Sequence, residues 1–298
     1  MVTTTATATA PRATKTSSGE EARLLDTREL TPGRYLQAWA APAIARAVQP
    51  GQFVHALSPR APGLLLPAVP VASFDRVAGT VRTLVASGSR PARSLLEVRP
   101  GESAIFEGPL GRGFALDPRS RYLLVVSDPD GFARVSSIVD EAVAGGRQVT
   151  VLLGARSVVE VYPSSLLPDE AEYVVATADG SLGHHGDISE LVTPYEAWAD
   201  QCFAAGSEAL LTRVATLAKG RDGRMGVARL GRRRGRRPDP GGPEVRRRAW
   251  LQVALRHEAG CALGVCAGCT IDGADGPVRA CREGPAFASS ELRWEPGS

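Results

Sequence analysis

Four cysteines crowd into 21 positions near the C-terminal end of the chain: Cys261, Cys266, Cys269 and Cys281, spaced C-x4-C-x2-C-x11-C. Four thiolates are what a [2Fe–2S] cluster requires, two per iron, and three ligands on one short loop with a distant fourth is the plant-type arrangement. Ligands this close force the backbone to wrap the inorganic core. The small residues between them, Ala262, Gly264, Ala267 and Gly268, let amides approach the sulfurs, where hydrogen bonds tune the potential. Zinc is the competing reading, but structural zinc takes two closely spaced pairs, and here one C-x2-C stands with a lone fourth cysteine. Residues 250–298 therefore read as a small iron–sulfur domain. The fifth cysteine, Cys202, lies between Gln201 and Phe203 in a run that reads as a buried strand, so a packed thiol is expected. Among the histidines, His184 and His185 read as exposed loop polarity, and His55 and His257 show no partner in the sequence.

A chain of 298 residues is about two domains long and can bury a core without staples. No apolar run approaches the roughly 18 residues needed to span a bilayer, and no signal-peptide apolar region is present. Five cysteines are too few for a disulfide scaffold at this size, which points to a reducing compartment and a cytoplasmic location. The net charge of +3 is the sum of two opposed parts. Residues 220–249 hold eleven arginines against Asp222, Asp239 and Glu244, a local +8, so the rest of the chain carries 3 − 8 = −5. This block of Arg, Gly and Pro reads as a solvated, mobile insertion. A nucleic-acid arm is the sharper alternative, but no aromatic is interleaved to stack on bases. Residues 1–19, rich in Thr, Ala and Ser, read as a disordered tail.

Between these ends the pattern changes once. Residues 20–117 hold short apolar or alternating runs, Ala22–Leu25, Tyr35–Trp39, Gln52–Leu57, Val69–Phe74, Thr80–Ala86, Leu95–Val98 and Ala104–Phe106, punctuated by Pro-Gly pairs. Many short strands at regular spacing predict a small β-barrel or sandwich. From Asp117-Pro118 onward strands alternate with helices: Tyr122–Val126, a helical repeat from Phe132 to Val143, Gln148–Leu153, Tyr173–Ala176, Gln201–Ala204, and a helix from Ser207 to Ala218. That alternation predicts a doubly wound parallel sheet of four or five strands over 118–219.

Several motifs in this order resemble one family. They are Pro50-Gly51-Gln52-Phe53-Val54, Gly108-Pro109-Leu110-Gly111-Arg112-Gly113-Phe114, Gly154-Ala155-Arg156-Ser157, the loop from Thr177 through Asp179 to Gly186, and Cys281-Arg282-Glu283-Gly284-Pro285-Ala286-Phe287. Together with the cysteine loop they resemble the electron-transfer subunit of NAD-type dihydroorotate dehydrogenase, within the ferredoxin-reductase superfamily. The resemblance implies a flavin-binding-type β-barrel, a nucleotide-binding-type α/β domain and a C-terminal [2Fe–2S] domain. It also implies a partner subunit that oxidises dihydroorotate at an FMN, with electrons crossing the cluster to FAD and NAD in pyrimidine biosynthesis. Carried over by motif, FAD and NAD would meet Pro70, Val71, Gly88, Gly108, Pro109, Leu110, Gly111, Gly131, Thr177 and Asp179, and the cluster the four cysteines. No nucleophile or acid/base constellation is recognisable, so no catalytic residue is assigned and the carbon chemistry falls to the partner.

The departures gather where the organic cofactors should bind. The family's Arg-Pro-x-Ser flavin motif reads Val69-Pro70-Val71-Ala72, and its Gly-x-Gly-Thr reads Gly88-Ser89-Arg90-Pro91. The glycine-rich turn after the first parallel strand reads Ser127-Asp128-Pro129-Asp130-Gly131, placing two aspartates where a pyrophosphate would approach a helix N-terminus. The Cys-Gly-Pro near the nicotinamide reads Ala205-Gly206-Ser207. Survival is thus expected in the order cluster, FAD, NAD. The alternatives are a cluster-bearing adaptor without flavin or nicotinamide turnover, and an arginine-arm nucleic-acid binder with a structural cluster.

Overall fold

The computed structural model describes residues 19–59, 67–88, 90–229, 246–247, 249–257, 260–261 and 263–294. The N-terminal tail and most of the arginine block, including residues 230–245, lie outside the described residues. The mobile-insertion and nucleic-acid-arm readings fall largely on them.

The first unit is a closed antiparallel barrel. Its strands are β1 (Glu20–Thr31), β2 (Arg34–Ala40), β3 (Phe53–Leu57), β4 (Ala68–Asp75), β5 (Thr80–Ala86) and β6 (Ser103–Leu110), in the order β1-β2-β5-β4-β3-β6. Closure leaves no edge to protect. Alternation sets the faces: Val81, Thr83 and Val85 point inward while Arg82 and Ala86 are exposed. Trp39 fills the interior, 4.9 Å from the Phe106 ring, and its indole N–H donates to the Thr83 hydroxyl at 3.1 Å. Two short helices, α1 (Pro42–Ala47) and α2 (Arg90–Leu96), pack on the barrel. The second takes up part of the run expected as a strand at Leu95–Val98. Such a short apolar run is ambiguous by period alone, and Pro91 suits a first helical turn. The fully buried Leu95 docks that helix on the barrel, with the Gln37 side chain donating to its carbonyl at 2.9 Å.

The second unit is a seven-stranded sheet with helices α3 (Phe132–Ala144), α4 (Val192–Glu196) and α5 (Glu208–Arg229). Its strands are β7 (Tyr122–Ser127), β8 (Gln148–Ala155), β9 (Glu172–Thr177), β10 (His184–His185), β11 (Gln201–Ala205), β12 (Leu251–Ala254) and a C-terminal strand, Ala286–Ala288. Between β12 and that last strand lie the hairpin β13 (Thr270–Gly273) and β14 (Gly276–Arg279), then helix α6 (Ala280–Glu283), which makes Ala286–Ala288 β15. The order is β10-β9-β8-β7-β11-β12-β15, parallel except for β15. The expected four or five strands are exceeded because β12 and β15 come from residues assigned to the iron–sulfur domain. Leu251-Gln252-Val253-Ala254 is too short to declare itself in sequence, yet all four residues are buried. Trp250 anchors the strand, its indole N–H donating to the Ala199 carbonyl at 2.9 Å.

The arginine block also begins and ends differently from the solvated-insertion reading. Helix α5 continues through Lys219 to Arg229, and Arg246 is buried against the body, its side chain 4% exposed. The two units meet along α3: the Ser136 hydroxyl donates to the Ala72 carbonyl at 2.7 Å, and Arg34 of β2 pairs with Asp130 at 2.6 Å.

Candidate metal centre and cofactor sites

The cysteine loop turns back on itself so that its thiols form two pairs. The β13–β14 hairpin reverses the chain, and the Ala280 amide donates to the Cys269 carbonyl at 3.0 Å, which brings the start of α6 against the loop. Cys269 and Cys281 are thereby buried, packed with Phe53 and Ala280, and their thiols lie in hydrogen-bond contact. Burial, then Cys269, pushes the Cys281 thiol up. Cys261 and Cys266 form the outer pair, with the Cys266 amide donating to Cys261 Sγ at 3.4 Å. That amide and those of Val265 and Leu263 hold the Cys261 thiol down to about 6. The Gly264 amide points at Cys281. Gly264 has a positive φ of 72°, and a Cβ there would come within 3.2 Å of Arg282. The Arg279 guanidinium donates to the Gly264 carbonyl.

Two thiol pairs joined by one loop, with amides aimed at sulfur, fit a two-iron core. Cys261, Cys266, Cys269 and Cys281 would hold the cluster, whose chemistry is one-electron transfer. Cys202, in β11, is fully buried in the sheet's core.

The flavin positions keep their backbone and lose their charge. Pro70 lies opposite Phe53 in the β3–β4 pair, Val69 and Val71 are buried in the barrel core, and Gly88 borders open space. None of these offers a cation for a pyrophosphate. Gly108, Pro109 and Leu110 end β6 and lead to Gly111, whose φ is +74° and whose Cβ would run into the Gly284 carbonyl and Pro285. The junction thus seats the barrel on the cluster module, where the Arg112 amide donates to Gly284 and the Ala286 amide to Arg112 at 3.3 Å.

His257, just beyond β12, stands edge-on to Phe53 at 4.8 Å with its Nε2 buried and without a hydrogen-bond partner in the structure. Burial, helped by Arg134 and His55, pushes its pKa down to about 4. A base whose folded pKa lies below its ordinary 6.5 binds fewer protons folded than unfolded. Stability from this group is therefore present above 6.5 and lost as pH falls toward 4. Full protonation costs on the order of 3 kcal/mol, and His257→Gln should flatten that part of a urea-unfolding series against pH.

In the second unit, Thr177 and Asp179 serve their own loop. The Thr177 hydroxyl donates to the Leu182 carbonyl at 2.8 Å, and Asp179 accepts from the Ser181 amide at 2.9 Å and its hydroxyl at 2.6 Å. Gly131 opens α3, pressed against the β11 end so closely that a Cβ would collide with the Ala205 carbonyl. Gly131→Ala should therefore destabilise the chain by about 2–4 kcal/mol, as overpacking against rigid backbone does, measurable by denaturant unfolding. Asp128, just before this turn, accepts from the Gly131 amide at 2.9 Å and from the Ser207 amide at 2.6 Å. Sequence reasoning placed Asp128 in the cleft but missed its bonds, gave His257 no partner, and left Arg246 inside the solvated arginine block.

A closed six-stranded barrel, a mainly parallel α/β sheet and a four-thiolate module docked on both make a ferredoxin-reductase-like fold with a C-terminal iron–sulfur module. Residues 258–293 match the family described as the iron–sulfur cluster binding domain of dihydroorotate dehydrogenase B. The chain is 29% identical over 283 residues to the dihydroorotate dehydrogenase B (NAD(+)) electron transfer subunit of Desulforamulus reducens, covering 92% of this chain and 98% of that one. It is 23% identical over 250 residues to the subunit of the same name from Listeria monocytogenes serotype 4b, covering 82% and 87%. In fold it is similar to a solved NADH-dependent reduced ferredoxin–NADP oxidoreductase, with TM-score 0.72, 19% identity and coverage of 94% and 92%. The iron–sulfur module is thus of the dihydroorotate dehydrogenase B type, and the chain resembles that enzyme's electron-transfer subunits over nearly its whole length. No described helix is long and apolar enough to cross a membrane.

Proposed function

We propose that this chain is the electron-transfer subunit of a dihydroorotate-oxidising flavoprotein, taking electrons from an FMN-bearing catalytic partner in pyrimidine biosynthesis. The observation that carries the reading is the two-pair thiol loop seated on the barrel through Phe53, with Cys269 and Cys281 buried at that contact. Burial shields the inner pair from water, while Cys266, Leu263 and Val265 stay exposed on the outer side. An electron carrier needs this asymmetry: a ligand set protected from solvent on the body side and close approach from the other. FAD in the barrel is the second centre of the reading, weakened by the missing arginine. Losing one charge-assisted phosphate contact lowers affinity about ten- to a hundredfold, so apoprotein titrated with FAD should saturate well above the concentrations that arginine-bearing relatives need.

The test is co-expression with an FMN-bearing dihydroorotate-oxidising subunit, followed by anaerobic addition of dihydroorotate. A stable complex whose cluster absorbance bleaches is the expected result. Absence of any complex at micromolar concentrations would defeat the assignment.

A further inference from the structure

In the parallel sheet, β8 and β11 lie on opposite sides of β7, so the chain reverses its winding between β7 and β11. The crevice beyond the carboxyl ends of these two strands is the topological switch point, where doubly wound sheets take ligands, with a phosphate on the N-terminal amides of the first helix. Here that position holds a side chain. Asp128 follows β7 directly; one carboxylate oxygen accepts from the Gly131 amide at 2.9 Å and the other from the Ser207 amide at 2.6 Å. A single carboxylate thus uses amides from both walls of the crevice, one at the start of α3 and one at the start of α5. The glycines lining it make room for protein and not for a ligand. A Cβ on Gly206 would come within 2.8 Å of the Asp128 carboxyl carbon, and one on Gly131 would meet the Ala205 carbonyl.

The turn is also pinned from outside. Asp130 pairs with Arg34 of the barrel at 2.6 Å, and the Tyr162 hydroxyl donates to the Pro129 carbonyl at 3.1 Å. Pro129 itself has no amide to offer.

We propose that the Asp128 carboxylate stands in the pyrophosphate position of the dinucleotide cleft, so that this chain binds no pyridine nucleotide. The residues do not fit NAD, and no step is assigned to it. The inference rests on the sheet and its turns alone, independent of which catalytic subunit docks at the cluster. It differs from simple charge repulsion by two aspartates, because an occupied position stays closed when the charge is removed.

The experiment is calorimetric titration of the full-length, cluster-loaded protein with NADH and, separately, with ADP-ribose under anaerobic conditions. Wild type should show no saturable binding up to about 1 mM. Asp128→Gly, which takes the carboxylate off both amides and leaves the Gly131 amide only its 3.1 Å bond to the backbone carbonyl of position 128, empties the crevice and should bind NADH at least about tenfold more tightly. Asp128→Asn, neutral but of the same size, should stay closed. Saturation of the wild type at micromolar NADH overturns the proposal. So does an equal gain in the Asn and Gly variants, which makes charge the barrier, or no gain in the Gly variant. If Asp128→Gly does not fold, amide hydrogen exchange on the wild type decides. Slow exchange at Ser207, whose amide has the Asp128 carboxylate as its acceptor, is the expected result, and an open-loop rate there overturns it; Gly131 also donates to the Asp128 carbonyl at 3.1 Å and so does not discriminate. A failed dihydroorotate experiment leaves all these outcomes unaffected.

Discussion

Serine at Cys269 or Cys281 should abolish the cluster, and serine at Cys261 or Cys266 should leave it unstable to purification, whereas Cys202→Ser should purify with its cluster intact. The chemistry is common to all four positions, since a hydroxyl is a poorer iron ligand than a thiolate. The difference in severity comes from burial. Cys269 and Cys281 are 4% and 2% exposed and packed against Phe53, so each substitution also leaves a hydroxyl in an apolar contact. Cys266 is exposed on the outer loop, where water and neighbouring amides solvate the change. Because a metal site forms only in the folded chain, cluster binding is also folding free energy. The inner-pair variants should therefore unfold earlier in denaturant as well as lose colour. The measurement is iron and acid-labile sulfide per chain after anaerobic reconstitution, with about two of each expected for wild type and for Cys202→Ser. One zinc per chain with no sulfide would mean that the four thiolates serve a different metal.

What was legible in the sequence was whatever short-range pattern could carry. The cysteine spacing declared itself because three ligands fall in one loop and the fourth in the short helix α6 that follows the next hairpin. The barrel strands β2, β3, β4 and β5 follow from alternation between Pro-Gly punctuation, and β7, β8 and β11 from unbroken apolar runs. Features made by distant parts of the chain were not legible. The sequence puts Asp128 in the nucleotide turn, where repulsion is the evident consequence. Its bond to the Ser207 amide joins residues 79 apart and exists only because β11 pairs with β7. The β12 and β15 strands are too short to stand out, and they are strands only because the sheet edge at β11 is there to receive them. His257 has no local signature at all; its burial comes from Phe53, two hundred positions earlier in the barrel.

Arg246 was hidden for the opposite reason. Eleven arginines in thirty positions make any single one look like solvated charge, yet this guanidinium closes the underside of the cluster module. Its Nε donates to Glu291 at 3.1 Å and its Nη2 to the Glu283 carbonyl at 2.6 Å, and it lies over the Phe287 ring at 5.5 Å. Burial lowers its pKa, opposed by Glu291, so its charge is tolerated only through that partner. Arg246→Met should cost about 3–5 kcal/mol, because it removes the cation paired with the Glu291 carboxylate, 15% exposed and left with the Ala288 amide at 2.6 Å, and unpairs the carbonyl at the end of α6. Glu283 lies two residues after Cys281, so the loosened helix end should also speed loss of the cluster to a chelator. Pairing Arg246→Met with Glu291→Gln should recover much of the stability, since a buried ion pair is replaced at little cost when both charges go together. Guanidinium unfolding of the wild type, both single variants and the double variant gives the coupling energy directly. An Arg246→Met variant within about 0.5 kcal/mol of wild type, as an ordinary surface substitution would be, would return Arg246 to the solvated block from which the structure separates it.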